Sequence, residues 1–137
     1  MKGAAGPPAI DHLGWAVRSI ESSRSHFESS LGLDLQSDER FPDVRVAFFG
    51  TGATHIELLE PLTAESDVGR FIARRGEGLH HLALRVDSVA AALAEAEGHG
   101  FVLIDKVPRA GARDSTIGMV DPQREDGVLV QYVQVAM

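Results

Sequence analysis

Cysteine is absent from this chain of 137 residues. No disulfide can form, and any metal ion must be held by imidazole, carboxylate or amide oxygen. Long apolar runs are absent as well: nothing approaches the ~20 residues needed to cross a bilayer. The stretch from Met1 to Pro8 lacks the apolar centre of a secretory signal, so a cytoplasmic location is the default expectation. Positive charge is in deficit, with 13 Lys and Arg against 20 Asp and Glu and a net charge of −7. Nucleic acid and membrane surfaces need a positive footprint, so neither is an expected partner. What remains is ordinary for a globular protein, with 44% hydrophobic and 24% charged residues. A chain of this length fits a single domain, 1–137, that buries roughly two-thirds of its unfolded surface.

A repeat organises the chain. Ile10-Asp11-His12-Leu13-Gly14-Trp15-Ala16-Val17-Arg18-Ser19-Ile20 resembles Leu79-His80-His81-Leu82-Ala83-Leu84-Arg85-Val86-Asp87-Ser88-Val89. Each is a strand-like apolar stretch with a histidine near its start. Helical character follows each one, over Ser22 to Leu31 and over Val89 to Glu97. The second of these is rich in Ala, Leu and Glu, all good helix formers. Both stop near glycine, at Gly32 and at Gly98 or Gly100, as helix ends commonly do. Strand-like segments then complete each half: Leu33 to Gln36, Val44 to Phe49 and Thr54 to Glu60, against Val102 to Lys106, Ser115 to Val120 and Gly127 to Gln134. A connector, 61–77, carries a short helix over Asp67 to Arg75 with Ser66 as its N-cap. The expected fold is α+β: two βαβββ modules, about 9–60 and 78–134, forming a shared curved sheet around a metal-binding cavity.

Side chains alternate across a strand, so His12, Gly14 and Ala16 share one face and Leu13, Trp15 and Val17 the other. His81, Ala83 and Arg85 are matched in the same way against Leu82, Leu84 and Val86. The bulky apolar sets belong against the helices, and the histidines on the opposite face. In the closing strands, placing Glu57 over Gln131 aligns Ile56 with Val130 and Leu58 with Tyr132. His12, Glu57, His81 and Gln131 then form a donor set for one divalent ion. A lone buried glutamate would cost several kcal/mol without a partner, and a cation gives Glu57 a reason to be there. His80 reads as a neighbour on the other face. His26, His55 and His99 read as surface or edge residues, and Asp38 and Glu39 as a solvated loop. Cobalt, nickel, zinc, manganese, magnesium and iron all suit such donors.

At these residues the sequence resembles the vicinal oxygen chelate superfamily, and within it most closely the methylmalonyl-CoA epimerases. The matching stretches are Ile10-Asp11-His12-Leu13-Gly14, Ile56-Glu57-Leu58-Leu59-Glu60-Pro61-Leu62, Gly76-Glu77-Gly78-Leu79-His80-His81-Leu82-Ala83 and Gly127-Val128-Leu129-Val130. The resemblance implies metal ligation by His12, Glu57, His81 and Gln131, and catalytic roles for Glu57 and Gln131. It implies an acyl-CoA substrate, proton abstraction, enolate stabilisation by the metal, and a homodimer.

Three positions depart from the epimerase pattern. Gln131 stands where that family commonly has a carboxylate, and an amide cannot accept a proton near neutral pH. Val46 stands where some members carry a second acid. Asp121-Pro122-Gln123 replaces a His-Pro-Lys motif that could contact coenzyme phosphates. Lys106, Arg109, Arg113 and Arg124 are candidates for that contact and equally ordinary surface charges. These departures keep other readings open: a glyoxalase-like or other metal-dependent enzyme of the superfamily, an oxygenase among them, or a protein that sequesters a small molecule.

Overall fold

The computed structural model of the protein describes residues 6–135. The chain divides into two compact units, one running from His12 to His80 and one joining the chain up to Asp11 to the chain from His81 onward. Among the described residues no helix is long and apolar enough to cross a membrane.

The first module comprises β1 (Ile10–Ala16), α1 (Ile20–Ser25), a π-helix (His26–Ser30), β2 (Asp34–Arg40), β3 (Val44–Gly50) and β4 (His55–Pro61). Its strands lie in the order β2-β3-β4-β1. β4 is antiparallel to β3, which is antiparallel to β2, and parallel to β1. Ser19 starts α1: its hydroxyl accepts from the Ser22 amide at 3.1 Å, satisfying one of the donors a helix N-terminus leaves open. The carboxylate of Glu60 accepts from the Ile20 amide at 2.8 Å and ties the helix start to β4. Val17, Ile20, Ala47, Phe49 and Leu58 make the core between α1 and the sheet. Each of the larger ones contributes about 1.5–3 kcal/mol through burial.

The chain expected to be one helix over Ser22 to Leu31 instead changes pitch. The Leu31 amide donates to the His26 carbonyl at 3.0 Å, a π-type bond. Trp15 does not join the core as its face predicts. It is 38% exposed and, with Phe27, Leu31, Leu33 and Ile56, lines a cavity of about 630 Å³ on the helix side of the sheet.

After β4 comes α2 (Asp67–Arg75). Its expected cap is present, with the Ser66 hydroxyl accepting from the Gly69 amide at 3.0 Å. The buried Val68, Phe71 and Ile72 anchor it, and Phe71 sets its ring edge-on against His80 at 5.0 Å.

The second module comprises β5 (Gly78–Arg85), α3 (Val89–Gly98), β6 (Val102–Leu103), β7 (Arg109–Ala110), a 3₁₀ turn (Ala112–Asp114), β8 (Thr116–Asp121) and β9 (Leu129–Gln134). The order is β5-β9-β8-β6, with β7 also on β8. Val89, Leu93, Ala96 and Val120 form its core. Gly118 is required there, since a Cβ would stand 2.9 Å from both Leu93 and Val89 side chains. The strand expected over Val102 to Lys106 shrinks to two residues: the Ile104 and Asp105 amides both turn to the Met119 carbonyl. The α+β class is as the repeat implies; the first module runs βαβββ, and the second adds the two-residue β7 to that order.

Candidate metal centre

Each module builds the same local arrangement. In the first, β1 and β4 run parallel with His12 opposite His55 and Gly14 opposite Glu57. In the second, β5 and β9 run parallel with His81 opposite Leu129 and Ala83 opposite Gln131. Glu57 and Gln131 are therefore equivalent, each beside a residue with little or no side chain. In the first module the small residue leaves room for Glu57 to lean toward His12, two positions before Gly14 on the same face. The equivalence of Glu57 and Gln131 is the one the repeat suggests.

All four side chains are buried. His12 Nε2 stands 3.3 Å from Glu57 Oε1, and the ring of Phe48 meets the His12 imidazole edge-on at 5.1 Å. Phe48 is thus the wall that fixes the imidazole plane, while the strand register fixes Glu57. Ligand atoms of His12, Glu57 and His81 all lie within 4.8 Å of one another. The donor set suits a divalent cation: two imidazoles and one carboxylate, withdrawn from water. Two donors about 2.1 Å from a shared ion and about 90–110° apart are about 3.0–3.4 Å from each other, which is the His12–Glu57 separation.

The other histidines fall as expected. His26 and His99 are exposed, His55 is half-buried at the edge of the Phe48 ring, and His80 is taken up by Phe71. Three of the four candidate phosphate-binding cations meet carboxylates: Arg109 with Asp105 at 2.8 Å, Arg124 with Asp126 at 3.0 Å, and Arg113 with Asp11.

Two features escape the sequence reading. Asp11 is buried and receives Arg85 at 2.6 Å as well as Arg113. Its alternation with Leu13 and Trp15 was the available signal, and it is ambiguous next to His12. Asp38 and Glu39 are not in a loop but in β2, where half-buried Leu35, Ser37 and Glu39 alternate with exposed Gln36, Asp38 and Arg40. Short-range charge hid that period-two pattern.

This chain belongs to the glyoxalase/bleomycin resistance protein/dioxygenase superfamily, whose family model matches residues 11–118. Among its relatives, the Bacillus subtilis protein YqjC is 40% identical over 127 residues, covering 91% of each chain. The mitochondrial methylmalonyl-CoA epimerase of Bos taurus is 27% identical over 128 residues, 91% of this chain and 73% of that one. A solved structure of a methylmalonyl-CoA epimerase variant from Streptomyces coelicolor, in complex with 2-nitronate-propionyl-CoA, superimposes with a TM-score of 0.86. It is 29% identical and covers 96% of each chain.

Proposed function

We propose that the protein is a metal-dependent epimerase or isomerase that moves the α-proton of an acyl-CoA, with a 2-substituted malonyl-CoA as the favoured substrate. The buried group of His12, Glu57 and His81 carries this reading, supported by similarity to methylmalonyl-CoA epimerases over nearly the whole chain. In it His12, Glu57 and His81 hold a divalent ion and Gln131 offers its amide oxygen as a further donor. The ion supplies Lewis-acid stabilisation of the negative charge that gathers on the thioester oxygen.

The chain's own residues do the rest. Glu57 is the carboxylate available to take the α-proton, since the equivalent amide of Gln131 cannot accept one near neutral pH. Phe48 and Val46 present an apolar wall next to it, which keeps water from quenching the carbanion equivalent. Incubating the metal-loaded protein with methylmalonyl-CoA in deuterium oxide tests the reading. Deuterium is expected at the α-carbon, and its absence at substantial enzyme concentration contradicts the proposal.

A second reading has one observation in its favour. Two histidines and one carboxylate are the set that holds iron(II) in oxygenases. Oxygen uptake by the iron-loaded protein, without exchange into methylmalonyl-CoA, would favour it.

A further inference from the structure

Residues directly opposite one another in a sheet share a face. Across the first module, Ser37 pairs with Phe48, Phe48 with Glu57, and Glu57 with Gly14, so these four form one row on the face that carries His12. The next row on that face is Glu39, Val46, Leu59 and Ala16. Leu35, by contrast, pairs with Phe49 and packs in the core under α1.

What moves Ser37 and Glu39 to the His12 face is a β-bulge. The register of β2 on β3 slips between Leu35 and Ser37, so Gln36 is the extra residue. Bulges commonly re-aim side chains beside functional sites. On β3 the Gln36 side chain lies over Gly50, in space that a Cβ at that position would enter.

Without the bulge Ser37 would face the α1 core. With it, the Ser37 hydroxyl oxygen is buried and has no hydrogen-bond partner. Such groups in a native protein signal a ligand or water that completes them.

We propose that Glu39 is the second proton-transfer residue of the site, working across the apolar floor of Val46 and Phe48 from Glu57. The inference rests on the epimerase reading above. β2 and β4 flank β3, so the Cα atoms of Glu39 and Glu57 are about 12 Å apart, two strand spacings across and two residues along. That gap admits a substrate α-carbon with one carboxyl group on either side, within the reach that general acid–base transfer needs.

The step balances with two groups. Glu57 takes the α-proton and becomes a carboxylic acid. The C–H electron pair forms the enolate double bond, and the carbonyl pair moves onto the thioester oxygen. Glu39, in its acid form, then gives a proton to the opposite face of the same carbon and becomes the carboxylate, returning the electron pair to a C–H bond of inverted configuration. The other epimer uses the same pair in reverse. Ser37, two residues before Glu39 on the same face, supplies a hydroxyl that can anchor the substrate oxygen nearest β2.

The test separates proton removal from inversion. Wild type and Glu39→Gln are assayed with single epimers of methylmalonyl-CoA in deuterium oxide, following label at the α-carbon and interconversion of epimers in parallel. Glu39→Gln is expected to keep exchange on the epimer whose proton Glu57 takes, and to lose interconversion by about 100-fold or more. Glu39→Asp should recover part of that loss. Cobalt(II) absorption should titrate identically in wild type and both variants, which excludes collapse of the site as the cause. Interconversion by Glu39→Gln at the wild-type rate overturns the role of Glu39 alone. Absence of exchange by wild type overturns the epimerase reading and the role of Glu39 with it.

Discussion

His12 is gripped from two sides, by the edge of Phe48 and by the carboxylate of Glu57 at 3.3 Å. Its counterpart environment around His81 contains Gln131 at the Glu57-equivalent place. The two modules therefore carry one carboxylate between their equivalent donor positions, and in the proposed reaction Glu57 is the proton acceptor of the two. Replacing Gln131 by glutamate puts a second proton acceptor at the equivalent place. Gln131→Glu is expected to raise the rate of α-proton exchange about tenfold or more, read as deuterium uptake into methylmalonyl-CoA. An unchanged or lower rate contradicts a share for this position in taking the α-proton. Asp11 is the other residue whose environment decides its role. Its side chain is wholly buried, while Arg85 and Arg113 keep part of their surface in water. The arginines can rehydrate when the carboxylate is lost, so the cost falls below that of breaking a fully buried pair. Asp11→Asn is expected to lower stability by about 2 kcal/mol, measured by urea unfolding.

At the scale of elements, β2 is held by charge on one edge and by its bulge in the middle. Arg45 on β3 donates to Asp38 on β2 at 2.6 and 3.0 Å and reaches Glu21 of α1 at 3.4 Å. The hydrogen bond from Arg45 holds the Asp38 carboxyl below its ordinary range, its charge adding to the effect against desolvation. A carboxyl depressed in the folded state stabilises it above its unfolded pKa of about 3.9, and loses that contribution as pH falls through the folded value. Asp38→Asn should therefore lower stability at neutral pH and flatten the acid limb of the stability profile below about pH 4. Equal pH dependence in variant and wild type would contradict this. These elements also mark the limit of what the sequence makes legible. α2 is readable to the residue because Ser66 and Asp67 mark its start by local chemistry. β2 is not, because Gln36 to Arg40 are all polar or charged and no apolar alternation marks the strand. The π-helix is likewise hidden, since Phe27 and Leu31 fit an α-helical spacing as well as the wider one.

At the scale of the whole chain, the repeat is the feature that made the site legible. It pairs His12 with His81 and Glu57 with Gln131 without reference to any relative, and the strand registers reproduce both pairings. Glu39 could not be found that way, because the bulge that aims it has no match in the second half, where β6 is two residues long. Superfamily membership follows from similarity over residues 11–118. The proposed reaction rests instead on a handful of side chains on one face of each module. A bound ion stabilises the folded chain by mass action, about 2.7 kcal/mol at one hundred times its dissociation constant. The most direct test of the account is therefore metal stoichiometry, by cobalt(II) titration of the metal-free protein with thermal unfolding followed alongside. The account predicts one ion per chain, a rise in the unfolding temperature, and loss of both in His12→Ala and in His81→Ala. Failure to bind an ion, or binding that survives both substitutions, would contradict it.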